Sequence, residues 1–446
     1  MRAADTIFAL ASAPGRAGIA VLRLSGPGAA NTLHSLTGRI PPPRVAQRVR
    51  FRDPVDGEAI DDGLALFFPA PRSFTGEEVV ELHLHGSRAV VAAMVDALSR
   101  LPGLRPAEPG EFTRRAFQNG KVDLTEVEGL ADLVAAETSA QRRQALRQLG
   151  GELGRLYEGW RVRLLRALAH VEAEIDFPEE GLPSEIWTAV RDEAQALRSD
   201  IAAHLADDHR GERLREGLSV AIIGPPNAGK SSLMNALARR DVAITAATAG
   251  TTRDVIEVAL DLEGYPVVLA DTAGLREASD AVEEEGVRRA RARAAAADFR
   301  IVVVDATRPD EASALGSLAG DSALVVANKI DLRLGDDARW ADALGAGPAL
   351  RLSLRTGQGL TEMLARLAAE MKTRLAPGDA PVITRARHRA ALADAAAALD
   401  RFAVATMPEL AAEDLRAATR ALGRITGRVD VEDMLDIIFR EFCIGK

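Results

Sequence analysis

The six apolar-rich residues Leu218–Ile223 run directly into Gly224-Pro-Pro-Asn-Ala-Gly229-Lys230-Ser231, and this junction restricts the possible folds more than any other stretch of the chain. An apolar run without strong polar alternation suits a strand buried on both faces, as in a parallel sheet flanked by helices. The loop after it satisfies G-x-x-x-x-G-K-S and opens the amphipathic stretch SSLMNALA, so the setting is strand, loop, helix. Glycines let backbone amides point inward, and the N-terminus of the following helix favours negative charge. Lys230 is expected to reach the β- and γ-phosphates and Ser231 to ligate Mg²⁺.

Later segments select guanine. AGTTRD (Ala249 to Asp254) supplies Thr252 as a ligand for Mg²⁺ and the γ-phosphate. VVLADTAGL reads as a buried strand ending at Asp271, Thr272, Ala273 and Gly274; Asp271 can act through the metal shell and the Gly274 amide can sense the γ-phosphate. ALVVANKID puts Asn328, Lys329 and Asp331 at another strand end. A carboxylate at Asp331 can accept the guanine N1 and exocyclic amine protons, an edge pattern adenine lacks. Ser353-Leu354-Arg355 follows as the last base-contact loop. Together these motifs predict a Ras-like α/β P-loop G domain over Glu216 to Arg374. The residue after DTAG is Leu275, which cannot polarise water, so Glu283 in REASDAVEEEGVRRA is the preferred residue for positioning the attacking water.

The 446 residues exceed the size of one ordinary core, which predicts several domains. Before Glu108, the runs Gly18 to Ser25, Gly63 to Pro69 and Val79 to His85 read as strands and SRAVVAAMVDALSR as a helix, predicting a compact α+β domain. RIPPPR (Arg39 to Arg44) reads as a connection. After Asp123 apolar residues recur every three or four positions until Phe177-Pro178; helix resumes from Ser184 to Glu216 and again after Thr384. Helical texture on both sides of the G domain suggests one discontinuous helical domain with the G domain inserted into it. The net charge of −9 excludes a general nucleic-acid-binding field but leaves local basic surfaces open. The single cysteine, Cys443, fits a reducing compartment, and no stretch reads as a membrane span, so a cytoplasmic protein is expected.

Beyond the G-domain motifs, DTIFALASAPGRAGIAVLRLSG, FTGEEVVELHLHG, GEFTRRAFQNGKVDLTEVEGLADL, DTAGLREASD and the terminal FCIGK closely resemble the bacterial tRNA-modification GTPase family MnmE, also called TrmE. The resemblance implies a tetrahydrofolate-binding and dimerising domain at 1–120, helical segments at 121–215 and 375–446, and the inserted G domain at 216–374. It implies a homodimer working with the FAD-containing partner MnmG. Together they add an aminomethyl or carboxymethylaminomethyl group to C5 of the wobble uridine of tRNA, the carbon coming from a 5-formyl- or methylene-tetrahydrofolate.

For the nucleotide, the implied contacts are Asn227, Ala228, Gly229, Lys230, Ser231, Ser232, Ala246, Ala247, Thr248, Ala249, Gly250, Thr251 and Thr252, then Asp271, Thr272, Ala273, Gly274, Asn328, Lys329, Asp331, Ser353, Leu354 and Arg355. K⁺ is implied at Asn227, Ala246, Thr248 and Thr251, and Glu283 together with Lys230 is implied to carry catalysis. For folate, the matching positions are Arg23, Glu81, Lys121 and Lys446. Ser87 stands where the family more usually has Gly, and Leu354 where it commonly has Ala. Glu81, His83 and His85 alternate onto one strand face, a pattern that suits a polar or folate-facing surface better than a metal site. A ribosome-assembly or scaffold G protein is the alternative, and the terminal motifs argue against it.

Overall fold

The computed structural model describes residues 5–177, 184–240, 242–244, 257–271, 295–308, 323–332, 349–376, 378, 380–429, 435, 438–439, 442 and 445. The chain divides into two compact units. One comprises Met1–Ala131, Gln148–Pro183 and Ala405–Lys446, and the other Asp132–Arg147 and Ser184–Val404.

In chain order the elements are β1 (Thr6–Leu10), β2 (Ala17–Ser25), α1 (Ala29–Thr37), β3 (Gln47–Arg52), β4 (Ala59–Phe68), β5 (Val79–Gly86), α2 (Arg88–Ser99), β6 (Leu104–Pro106), α3 (Glu111–Gln118), α4 (Leu124–Ala135), α5 (Ser139–Leu149) and α6 (Glu152–Asp176). They continue with α7 (Ser184–Leu205), α8 (Arg210–Glu216), β7 (Leu218–Ile223), α9 (Lys230–Ala238), β8 (Glu257–Leu262), β9 (Tyr265–Asp271), β10 (Phe299–Asp305), β11 (Ala323–Asn328), β12 (Leu350–Arg351), α10 (Leu360–Leu375), α11 (Ala386–Val404) and α12 (Pro408–Thr426).

The first unit is built on a six-stranded sheet ordered β3-β4-β5-β2-β1-β6, antiparallel except where β1 meets β6. Alternation sends Leu22, Leu24, Leu82 and Leu84 into a core with Leu33 and Leu36 of α1 and Met94 and Leu98 of α2. The opposite face carries Arg23, Glu81 and His83, and is covered at one end where Phe112 of α3 packs on Ile7 and Ala9. Ser87 caps α2, its side chain accepting from the Val90 amide at 3.1 Å. The hydroxyl replaces nothing the turn needs and satisfies a donor that a Gly would leave to water. α6 stops at Asp176, where the sequence pattern ends it, and α12 packs along α6 through rows of Ala and Leu such as Ala411, Leu415, Ala418 and Leu422.

The second unit contains the sheet β12-β11-β10-β7-β9-β8, parallel except for the β8–β9 hairpin. Val220 and Ile222 of β7 face one core, with Leu233, Met363 and Leu367, while Ala221 and Ile223 face a second with Val302, Val304 and Ala327. The strand is buried on both faces, as its composition predicts. The hairpin turns on Glu263 (φ 51°) and Gly264 (φ 92°), both left-handed as a two-residue type I′ turn requires. Gly264 lies against α5: its carbonyl accepts from the Ala140 amide at 3.0 Å, and an added Cβ would stand 2.4 Å from Ser139 Oγ.

An ionic cluster ties the start of β1 to β6 and α3. Arg115 donates to Asp5 (2.8 Å), Glu111 (3.1 Å) and Glu77 (3.1 Å), and Arg105 bridges Asp5 and Glu111. Burial alone would raise the Asp5 and Glu111 carboxyls, but hydrogen bonds from Arg105 and Arg115, and for Glu111 also from the backbone of Glu108, hold both below the usual range. A depressed folded value means stability that is present above the ordinary carboxylate range and lost as pH falls through the folded value. Hydrogen exchange of β1 and β2 should therefore accelerate below about pH 4. Arg115→Met should weaken that acid dependence and cost about 3–5 kcal/mol, because it leaves buried carboxylates short of a partner.

Candidate nucleotide site

β7 lies between β9 and β10, with Ile222 level with Asp271 and Ile223 with Val302. After β7 the chain goes to β8 and β9 on one side and then crosses to β10 on the other. Ligands of open parallel sheets bind at such a switch point, beyond the carboxyl ends of the strands. The loop 224–229 leaves β7 there.

Two glycines shape the loop. Gly224 (φ 157°) passes so close to β10 that a Cβ would stand 2.1 Å from the Val303 carbonyl oxygen. Gly229 (φ 108°) begins α9, and its Cβ would stand 2.2 Å from Asn328 Nδ2. Asn227 is exposed in a left-handed conformation at φ 61°. Lys230 Nζ donates to the carbonyl oxygens of Gly224 (2.9 Å) and Pro225 (2.8 Å), holding the ammonium across the loop. Ser231 and Ser232 lie in the first turn of α9, both exposed, and Ala228 is fully buried in the loop.

Asn328 ends β11 and is buried. Its Nδ2 donates to the Ala228 carbonyl oxygen (2.9 Å), and its Oδ1 accepts from the Leu354 amide (3.2 Å). It thus joins the phosphate loop to the last base loop. Lys329, with φ 67°, donates to Asp305 at 2.7 Å. Asp305 is buried at the end of β10; burial works to raise its carboxyl, but hydrogen bonds from Lys329 and Thr307 hold it below the usual range. Asp331 accepts from Ser353 Oγ (2.6 Å) and Arg355 Nε (2.8 Å), and the Ser353 hydrogen bond first, then Arg355, keep its carboxyl low. Leu354 packs against the core under the loop, which explains why a larger side chain is accommodated in place of Ala.

The structure therefore brings together Asn227, Ala228, Gly229, Lys230, Asn328, Lys329, Asp331, Ser353, Leu354 and Arg355. Asp271 ends β9 beside them. Ala246, Ala247, Thr248, Ala249, Gly250, Thr251, Thr252, Thr272, Ala273, Gly274, Leu275 and Glu283 lie outside the described residues. Asp305 was missed by motif reading. Its signal was present, an apolar run FRIVVVD ending in a carboxylate, but its partner Lys329 is adjacent only because β10 pairs with β11.

In the first unit, Arg23 and Glu81 face each other across β2 and β5 and form an ion pair at 2.9 Å. The Arg23 guanidinium lies 5.9 Å from the centre of the Phe112 ring. His83 Nε2 is buried, 3.5 Å from Glu81 Oε2, with no hydrogen-bond partner among the described residues. His85 diverges from His83 and pairs with Asp61 at 2.8 Å. Lys121 is exposed and donates to the Pro71 carbonyl oxygen at 3.1 Å. Lys446 and Cys443 lie outside the described residues. Gly445 runs against β1, where a Cβ would stand 2.3 Å from the Leu10 carbonyl oxygen; the neighbouring Ala9 pairs with Arg23.

A family model described as the MnmE helical domain matches residues 124–443, and one described as the GTP-binding protein TrmE N-terminus matches 6–121. The tRNA modification GTPase MnmE of Parvibaculum lavamentivorans is 60% identical, with 99% of this chain and 100% of the relative covered. The chain belongs to the MnmE family of tRNA modification GTPases. The MnmE proteins of Paramagnetospirillum magneticum and Rhodospirillum rubrum are each 57% identical, with 99% of this chain covered and 100% and 99% of those relatives.

Membership makes this a multidomain GTPase in tRNA modification, with GTP and GDP as its nucleotides. No helix among the described residues is long and apolar enough to cross a membrane. Gly229→Ala should abolish measurable GTP binding, since the added methyl meets Asn328 Nδ2 and the positive φ disfavours it. Titration with a fluorescent GTP analogue checks this.

Proposed function

We propose that this MnmE chain is a K⁺-dependent GTPase that works as a homodimer with MnmG in folate-dependent addition of an aminomethyl or carboxymethylaminomethyl group to C5 of the wobble uridine of tRNA. The observation that carries the reading is the coexistence in one chain of a guanine site and, on the first unit's sheet, the Arg23–Glu81 pair beside the unpartnered nitrogen of His83. In this proposal the domains are 1–120, 121–215, 216–374 and 375–446, and the protein is cytoplasmic.

The phosphate loop fits an anion cradle, because the positions of Gly224 and Gly229 leave no space for a Cβ and Lys230 already crosses the loop. Ser231 and Thr252 would hold Mg²⁺, with Asp271 acting through its shell. Asn227, exposed at the loop's left-handed turn, would hold K⁺ with Ala246, Thr248 and Thr251. These ions would neutralise charge developing on the phosphates. Lys230 would bind the β- and γ-phosphates, and Glu283 would orient the attacking water, since Leu275 offers no polar group. Asp331, kept ionised by Ser353 and Arg355, would accept the two guanine N–H groups.

Folate fits the first unit's polar face. Glu81 can accept N–H groups of a pterin, the His83 nitrogen is available beside it, and Arg23 can bind carboxylate or carbonyl oxygen. Lys121 and Lys446 would complete that site. The folate would supply the one-carbon unit; this chain's residues would bind and orient it.

Asp331→Asn should weaken GTP binding by roughly tenfold to a hundredfold, consistent with loss of a charge-assisted pair, and xanthosine triphosphate should regain binding because its C2 oxygen can accept from the Asn amide. Reconstitution with MnmG and nucleoside analysis of the tRNA tests the whole reading. Wild-type chain in K⁺ should modify the wobble uridine, and Lys230→Ala should not. Normal modification by Lys230→Ala, or no binding of tetrahydrofolate to the wild type, would contradict it.

A further inference from the structure

Residues 39–52, RIPPPRVAQRVRFR, hold five arginines and no acidic residue in a chain of net charge −9. The structure spreads these arginines along one edge of the first unit's sheet. β3 is an edge strand of that sheet. Val49 and Phe51 are buried and anchor it, while Arg48, Arg50 and Arg52 are exposed between and beyond them. Arg39 and Arg44 precede the strand and are exposed, as is Arg72 nearby.

Most of this charge is oriented but not neutralised. Arg39 Nη2 donates to the Arg48 carbonyl oxygen (2.7 Å), Arg52 Nη1 to the Gly57 carbonyl oxygen (3.1 Å), and Arg44 Nη2 to the Arg72 carbonyl oxygen. A carbonyl holds a guanidinium without cancelling its charge. Among the described residues, only Arg50 of the six pairs with a carboxylate, Asp62 at 2.8 Å. Asp56 and Glu58 are exposed in the β3–β4 turn beyond Arg52 and Arg50 is taken by Asp62, so the arginines without a carboxylate partner nearby are Arg39, Arg44, Arg48 and Arg72. Arg44 also sits at φ 64°, a left-handed conformation unfavourable for a residue with a Cβ, with its guanidinium 5.7 Å from the centre of the Phe68 ring.

We propose that this arginine edge binds the phosphate backbone of the tRNA. The inference rests on the tRNA reading above and adds the surface that receives the nucleic acid. Residues two apart on a strand stand about 6.8 Å apart on one face, so Arg48 is separate from the Asp62-bound Arg50, and its fork, with those of Arg39, Arg44 and Arg72, is able to take phosphate oxygens. Phosphate contacts of this kind position a nucleic acid without reading its sequence. The buried Val49 and Phe51 fix Arg48 on the strand, and backbone carbonyls hold Arg39 and Arg44 beside it.

The test uses the full chain and a fluorescein-labelled tRNA transcript, with dissociation constants measured across a salt series. Arg44→Gly/Arg48→Ala/Arg72→Ala is compared with a matched removal of three exposed arginines elsewhere, Arg142→Ala/Arg239→Ala/Arg366→Ala. The edge variant should raise Kd at least roughly tenfold near 0.1 M salt and make the slope of log K against log salt shallower by about two, since each phosphate left without its guanidinium removes about 0.7–0.9. GTP hydrolysis should be unchanged, and Arg44→Gly alone should be no less stable than wild type, since Gly accepts the positive φ. Arg44→Lys/Arg48→Lys/Arg72→Lys should retain most of the slope, which removal of a purely structural guanidinium would not. If wild type binds the transcript and the edge variant behaves as the control does, the inference fails while the tRNA reading stands. If wild type binds no tRNA, the tRNA reading itself fails. Loss of binding to phosphatidylserine vesicles with unchanged tRNA affinity would assign the edge to a lipid surface and overturn the proposal.

Discussion

The side-chain amide of Asn328 makes both of its described hydrogen bonds inside the protein, one to the carbonyl of Ala228 and one from the amide of Leu354. A buried amide left unmatched would be costly, so these two bonds set where the phosphate loop and the last base loop stand relative to β11. Gly229 must be glycine partly because Asn328 lies where its Cβ would be. Asn328 is thereby a positioning residue: it holds together the phosphate loop and the last base loop. Lys329 and Asp331 follow it in sequence, and each is held in turn, by Asp305 and by Ser353 with Arg355. The guanine end of the site is thus a chain of supports leading back to the ends of parallel strands.

Much of this was legible because its signals are local. The run from Leu218 to Ile223 predicts a doubly buried strand, and the glycines after it need backbone shapes that few other residues adopt. The helix stop at Phe177-Pro178 was equally plain, since the residue before a proline leaves the helical region, and α6 ends at Asp176. What was illegible depends on partners far along the chain. Asp305 acquires its role from a neighbouring strand. β4 begins at Ala59, before the Gly63 where the pattern suggested a start, because Gly63 lies inside the strand with room only for hydrogen beside the His83 carbonyl. β3 was hidden because its outward positions are mostly arginine and only Val49 and Phe51 signal the alternation. β6 has three residues, one of them proline, too short to carry a period. In the first unit the Arg23–Glu81 pairing follows from register, whereas Lys121 turned to the Pro71 carbonyl, a contact no spacing rule predicts.

The two faces of the first unit's sheet divide the work between stability and chemistry. One face, with Leu22, Leu24, Leu82 and Leu84, is sealed by α1 and α2. Among the described residues α3 covers the other near Phe112, and Arg23, Glu81 and His83 are partly exposed. Their polarity is tolerable there because the ion pair is made across adjacent strands and not in the core. The Arg105–Arg115 cluster secures the same region from the side, binding β1, β6 and α3 by charge beside the Ile7, Ala9 and Phe112 contact.

A similar economy of support operates at the β8–β9 hairpin. In sequence, Thr252 lies just before the hairpin and Asp271 is its last residue, so the two nucleotide motifs flank a ladder running from Glu257–Ala270 to Leu262–Tyr265. The far end of that ladder turns at Gly264, whose backbone accepts from Ala140 at the start of α5. An antiparallel pair of this length is stiff along its strands, and its tip is fixed both by the left-handed turn and by the contact with Ser139 and Ala140. The β7–β9 ladder sets Asp271 level with Ile222, and α5 supports the opposite end of the same hairpin. The Gly at 264 is required twice over, by its φ and by its neighbour, and that double requirement fixes the hairpin's turn against α5.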